Sequence, residues 1–133
     1  MPPTYSLVVP IYNEEAVIPI LFRRLDALLD SFDAPGEAIF VDDGSEDTSA
    51  IVIEGKARAD RRYRLVKLSR NFGHQIAITA GLDHAAGRAV VVMDADLQDP
   101  PEVVRALIAR WKEAMTSFAP SARRAAAKAA SSL

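Results

Sequence analysis

The chain has no cysteine. That excludes disulfides, thiolate nucleophiles and Cys-ligated zinc or iron–sulfur centres together, and leaves carboxylates to do any metal chemistry. Long hydrophobic runs are missing too. The longest strongly apolar stretch, Ala89 to Met93, stops at Asp94, far short of the roughly 20 residues that a bilayer-spanning helix needs. The first residues, Met1 to Ser6, lack a basic segment followed by an apolar one, so no signal peptide and a cytoplasmic location are expected. Nor is there an excess of one charge. Sixteen Lys+Arg face eighteen Asp+Glu, a formal net charge of −2, which gives no strong field for nucleic-acid phosphates or an anionic membrane. With 133 residues, 50% of them hydrophobic and 26% charged, the chain has the length and apolar content of one folded domain.

Acidic residues are also absent from the last part. All eighteen lie at or before Glu113, and Ala114 to Leu133 carries only Arg123, Arg124 and Lys128 among eight alanines and four serines. This low-complexity tail has little large apolar surface with which to dock. Its Ala-rich half suits only a weak helix, and residues 114–133 are expected to be disordered.

Residues 1–113 alternate between two periodicities. Tyr5 to Pro10, Ala38 to Val41, Arg64 to Leu68 and Ala89 to Met93 read as strands. Between them, Val17, Leu21, Leu25, Leu28 and Leu29 recur at helical spacing from Glu14 to about Asp30. A second helix is expected from Asp47 or Thr48 to about Asp60, and a third around Ile76, Ala77, Ala80, Gly81 and Leu82 with a small-residue face. Pro100-Pro101 opens a fourth, striped by Val104, Leu107, Ile108 and Trp111. Continuous apolar strands alternating with helices predict an α/β fold, a mainly parallel sheet with helices on both faces. Ligands of such sheets bind beyond the carboxyl ends of the strands.

That rule selects three acidic segments. Pro10-Ile11-Tyr12-Asn13-Glu14, Asp42-Asp43-Gly44-Ser45 and Asp94-Ala95-Asp96-Leu97-Gln98 end strands one, two and four. Like charges converging on one crevice are costly unless they share a cation. In an extended segment residues i and i+2 point the same way, so Asp94 and Asp96 can face one Mg²⁺ or Mn²⁺ whose other sites go to water and diphosphate oxygens; Gln98 continues the parity. The spacing alone is common, and position after an apolar strand is what favours a metal over a solvated turn. Asp42 reads as a turn former and helix cap. Asp43 divides evenly between that role and a hydrogen bond to a nucleobase or ribose, with Tyr12 available to pack on the base. After strand three, Arg70 and His74 flank Asn71-Phe72-Gly73; Arg70 suits a phosphate, while a surface Arg and a helix-start His are at least as good an account.

The series VVPIYNEE, FVDDGSEDTS, LSRNFGHQIAITAGLDHAAG and VVMDADLQDPPE resembles the family 2 glycosyltransferases of the GT-A fold. Within them it is most similar to polyprenyl-phosphate hexosyltransferases of the dolichyl-phosphate mannose synthase and undecaprenyl-phosphate glucosyltransferase type. The resemblance spans about residues 5 to 112. It implies a Rossmann-like nucleotide-sugar-binding half in residues 1–113, with Pro10, Tyr12, Glu14 and Asp43 around the nucleoside. Asp94, Asp96 and Gln98 are then the metal ligands at the donor diphosphate, with Asp96 catalytic and Arg70 on the substrate. The implied reaction moves a hexose from a nucleotide sugar, a UDP-sugar being expected, to a polyprenyl phosphate at the cytoplasmic face of the membrane. A lipid phosphate is already ionised near neutral pH, so its attack needs no strong general base, and single displacement inverts the anomeric centre.

The sequence departs from that pattern at Arg88, where relatives carry an aspartate, and after Glu113. There the family continues into an acceptor-binding half, whereas Met115 to Leu133 resembles none of it. The chain therefore looks like a donor-binding fragment, whose alternative to activity is nucleotide-sugar binding without transfer. Uncovered apolar surface on strand four and the last helix is expected to favour self-association. A receiver-like signalling domain also clusters acids at strand ends, but needs a fifth strand with a lysine and ranks last.

Overall fold

The computed structural model of the chain describes residues 2–96, 100–117 and 125–128. Nine elements alternate along it: β1 Tyr5–Ile11, α1 Ile18–Ser31, β2 Gly36–Asp42, α2 Ser49–Ala59, β3 Tyr63–Lys67, α3 His74–His84, β4 Ala89–Val92, α4 Pro101–Ser117 and β5 Ala125–Lys128. The strands form one sheet in the order β3-β2-β1-β4-β5, parallel at every pairing. This is the Rossmann order as far as its fifth strand, and it reverses direction between β1 and β4, the place where such sheets open a crevice. A receiver-like sheet has the order 2-1-3-4-5, which this topology excludes.

Strand residues alternate between two cores because their side chains alternate between faces. Leu7, Val9, Ile11, Phe40 and Tyr63 join α1, α2 and α4 on one side. Val8, Ile39, Val41, Val90 and Val92 meet α3 on the other. The small-residue face of α3 is what allows this second layer to sit close. A Cβ at Gly81 would stand 2.3 Å from Val8 Cγ1 and 3.0 Å from Val41 Cγ2, so a larger residue there must push α3 away at a cost of about 1–3 kcal/mol.

Two expectations are corrected here. The tail contains a fifth strand, Ala125–Lys128, in parallel register with Ala89–Val92. Without it β4 would present a row of unpaired N–H and C=O groups, and backbone pairing satisfies them without demanding large side chains. The remaining tail residues, 118–124 and 129–133, lie outside the described ones. The stripe on α4 is also covered: Val104 and Ile108 are buried against the sheet, as are Val90, Val91 and Val92 of β4. Arg88 is exposed, as a surface departure should be, with its guanidinium 6.0 Å from the Trp111 ring.

Charge is matched on the outer side of α1, α2 and β3. Arg62 reaches Asp60, Asp30 and Asp26, Lys56 pairs with Asp26 at 3.0 Å, and the Tyr63 hydroxyl donates to Asp26 at 2.6 Å. Burial pushes the Tyr63 hydroxyl well above the usual phenol range, and the bond to Asp26 adds to that. The Arg62 side chain draws the Asp60 carboxyl below the ordinary carboxylate range.

Candidate functional site

Beyond the carboxyl ends of the strands lies a cleft of about 420 Å³. Its wall takes Pro10, Ile11, Tyr12 and Glu14 from the segment after β1, and Asp43 from the end of β2. Asn71, Gly73, His74 and Ala77 come from the segment entering α3, and Asp94, Ala95 and Asp96 from the end of β4. Residues far apart in sequence thus meet where the strand order reverses.

The first two loops are locked together. Asn13 adopts a left-handed backbone, φ 52°, which its side chain tolerates better than most. Its N–H donates to Ser45 Oγ at 2.8 Å, and its Oδ1 accepts from the Glu46 N–H at 2.8 Å. The Glu14 N–H donates to Ser49 Oγ and that of Glu15 to Asp47 Oδ2. Glu15 Oε2 in turn accepts from the Thr48 N–H at 3.0 Å and from its hydroxyl. The expected helix start at Glu14 is therefore displaced to Ile18, because Glu15 is engaged in capping α2 across the cleft rim instead of beginning α1.

Asp43 braces the third loop. Its Oδ1 accepts the Phe72 N–H at 2.8 Å and its Oδ2 the Gly73 N–H at 3.1 Å, while Asn71 Nδ2 donates to its carbonyl. Both carboxylate oxygens thus serve a turn-holding role, and the side chain still borders the cleft. Gly44, with φ +76°, lies directly beneath: a Cβ there would come within 2.4 Å of Asn71 N. Asp42 is buried, does not line the cleft, and has an Oδ1 without a partner among the described residues.

Asp94 supplies the local imbalance. Its Oδ1 is buried and has no hydrogen-bond partner among the described residues; His74 Nε2 stands 3.6 Å away, beyond hydrogen-bonding reach. Asp96 is exposed at the same wall. A buried, unsatisfied carboxylate oxygen beside a second carboxylate fits a hard divalent cation. Among the described residues no three His, Cys, Asp or Glu side chains are grouped to hold a metal alone. An ion here would need two carboxylates completed by ligand oxygens.

Six anticipated site residues, Pro10, Tyr12, Glu14, Asp43, Asp94 and Asp96, therefore share one cleft. Gln98 lies outside the described residues. Arg70 does not line the cleft; its guanidinium covers the Phe72 ring at 4.1 Å. His74, Asn71 and Gly73 were not singled out as site residues, yet they form the facing wall. The signal for them was available in the position of Asn71-Phe72-Gly73-His74 after a strand and before a helix.

A family model described as "Glycosyl transferase family 2" matches residues 6–130, further than the resemblance read from the sequence, so the later tail does fall within the family's pattern. The chain is 51% identical over 109 residues to the uncharacterized glycosyltransferase YkcC of Bacillus subtilis (strain 168), covering 82% of this chain and 34% of the relative. It is 41% identical over 107 residues to the bactoprenol glucosyl transferase of Shigella phage SfV, covering 80% and 35%. Two solved structures are similar in fold. S. aureus TarS 1-349 in complex with UDP-GlcNAc gives a TM-score of 0.68 at 29% identity, over 83% of this chain and 31% of that one. The mannosyltransferase PcManGT from Pyrobaculum calidifontis, in complex with GDP-Man and Mn²⁺, gives 0.62 at 28%, over 84% and 32%. The chain spans about a third of the length of the curated relatives it matches.

Proposed function

This chain belongs to glycosyl transferase family 2, and on that premise we propose that it is the donor-binding part of an inverting, metal-dependent hexosyltransferase. The donor is a nucleotide sugar, a UDP-sugar by preference, and the acceptor a polyprenyl phosphate. The observation that carries this reading is the buried Asp94 Oδ1, without a hydrogen-bond partner among the described residues, in a cleft bordered by Glu14, Asp43 and Asp96. Such a wall fits a divalent cation shared with a donor diphosphate. The similar structures support the donor class, since one is a complex with UDP-GlcNAc and the other with GDP-Man and Mn²⁺. They hold different bases on a similar fold, so the choice of base is assigned to the side chains at the nucleoside end. The name of the phage relative supports a bactoprenol acceptor.

In this reading Tyr12, 43% exposed at the cleft rim, packs on the base, with Pro10 and Glu14 beside it. Asp43 accepts from the nucleoside with its remaining lone pairs while its bonds to Phe72 and Gly73 keep it fixed. Asp94 and Asp96 would hold Mg²⁺ or Mn²⁺, with Gln98 as a further donor, and the ion supplies Lewis-acid stabilisation to the departing diphosphate. In this reading Asp96 is the catalytic carboxylate at the reacting bond. Orientation by the braced loops is the chain's own contribution, and holding both reactants in line is worth about 7–11 kcal/mol.

Calorimetry with UDP tests the reading. Binding should be tighter with Mn²⁺ than with EDTA, and Asp96→Asn should abolish the difference; equal affinity with and without metal would refute it. A radiolabelled UDP-hexose assay with polyprenyl phosphate separates donor binding from transfer. No lipid-linked product above background is expected from this chain alone, and clear metal-dependent product would assign it the whole reaction.

A further inference from the structure

The cleft wall carries four carboxylates, Glu14, Asp43, Asp94 and Asp96, and among its described lining residues there is no lysine or arginine. Its side-chain N–H donors are therefore few. Asn71 is already engaged, its Nδ2 donating to the Asp43 carbonyl at 3.1 Å. His74 is not: its Nε2 stands 3.6 Å from Asp94 Oδ1, beyond hydrogen-bonding reach, and among the described residues the imidazole makes no hydrogen bond. Its side chain is 54% exposed. The backbone that carries it is nevertheless fixed, because the preceding Gly73 donates its N–H to Asp43 Oδ2 and accepts the Ala77 N–H on its carbonyl. A ring on a braced turn loses less freedom when a ligand binds.

The neighbour at 3.6 Å decides which end of the cleft this ring serves. It is the end of Asp94, read above as the diphosphate end, and not that of Tyr12 and the base. One divalent ion does not offset four carboxylates and a diphosphate together, so a diphosphate at this wall is repelled unless N–H groups of the protein also receive it. Resting on the donor class of the preceding reading, we propose that His74 is a diphosphate-binding residue of the cleft, its Nε2–H donating to an oxygen of the donor's diphosphate. An oxygen that accepts from Nε2 lies beside Asp94 Oδ1, so the imidazole and the carboxylate receive the same part of the ligand. His74 then separates nucleoside diphosphates from nucleosides, and base selection stays with Tyr12 and Asp43.

Equilibrium dialysis of the whole chain with radiolabelled UDP and with radiolabelled uridine, each in Mn²⁺ and in EDTA, tests the assignment. His74→Ala should weaken UDP binding in Mn²⁺ about tenfold, the size of one hydrogen bond to a charged group, and leave uridine binding and the far-UV spectrum unchanged. His74→Gln, whose amide nitrogen takes the place of Nε2, should recover part of the loss. If His74→Ala fails to fold, the comparison of His74→Leu with His74→Gln decides. The advantage of Mn²⁺ over EDTA for UDP should persist in His74→Ala; its disappearance would make His74 a ligand of the ion and overturn the diphosphate contact. Equal losses for UDP and uridine overturn the proposal in favour of a structural role. Wild-type UDP binding with the Mn²⁺ advantage, together with an unchanged His74→Ala, refutes this assignment alone. A wild-type chain that binds no UDP refutes the donor reading and this assignment with it.

Discussion

Two acidic regions of the molecule are organised in opposite ways. On the outer side of α1, α2 and β3, Asp26, Asp30 and Asp60 face Lys56 and Arg62, and the Tyr63 hydroxyl donates to Asp26. In the cleft, Glu14, Asp43, Asp94 and Asp96 border a common space in which, among the described residues, His74 is the one cationic candidate. In the first region every one of these carboxylates has a cationic partner and should contribute to stability; in the second the buried Asp94 Oδ1 has no hydrogen-bond partner among the described residues and should contribute to binding. An unmatched charge inside a folded chain marks where a ligand must bring the opposite sign.

A crossed pair of substitutions puts this contrast at greatest risk. Asp94→Asn should lower metal-supported UDP affinity by about 10- to 100-fold and leave the melting temperature unchanged or raised, since it removes one of the crowded carboxylates. Asp26→Asn should leave UDP affinity unchanged and lower stability by about 1–2 kcal/mol, allowing for its partial exposure. Calorimetric titration and urea unfolding of both variants decide it; a stability loss in Asp94→Asn with intact binding would erase the distinction.

Asp43 sharpens the contrast because it belongs to both kinds. Its carboxylate satisfies two backbone N–H groups and borders the cleft. Asp43→Ala should therefore lower stability by about 1–2 kcal/mol and weaken UDP binding several-fold. Loss of stability alone would return it to turn holding.

The smallest effect is expected in acid. Asp60 has its folded carboxyl pKa drawn down by Arg62, so its contribution is present above the unfolded value near pH 4 and is lost as pH falls through the lower folded one. Urea midpoints from about pH 5 to about pH 2.5 should decline, and less steeply in Asp60→Asn. An unchanged slope would remove Asp60 from the account.

The alternation of strands and helices was readable because buried parallel strands are continuous apolar runs and amphipathic helices repeat at 3.6 residues. Of three departures, two arise from contacts between distant residues and one from a local turn. Glu15 looks like a first-turn carboxylate until Thr48 is brought beside it. Arg70 and His74 look equivalent around Asn71-Phe72-Gly73. Gly73, at φ 107°, turns the chain so that His74 enters α3 beside the cleft while Arg70 covers Phe72. The alanines of β5 have helical propensity, which the open edge of β4 overrides.

The place of β1 in the sheet has a consequence in time. Of the five strands described, β1 leaves the ribosome first and lies at the centre of the sheet, and Tyr5 finds its β4 neighbour Ala89 only after about eighty further residues. At synthesis rates of about 5–20 residues per second, one hydrogen-bonding edge of Ser6, Leu7 and Val8 stays open for roughly 4–16 s. For that interval the nascent chain is most exposed to mispairing and to holding factors, and a pause placed before Ala89 would lengthen it.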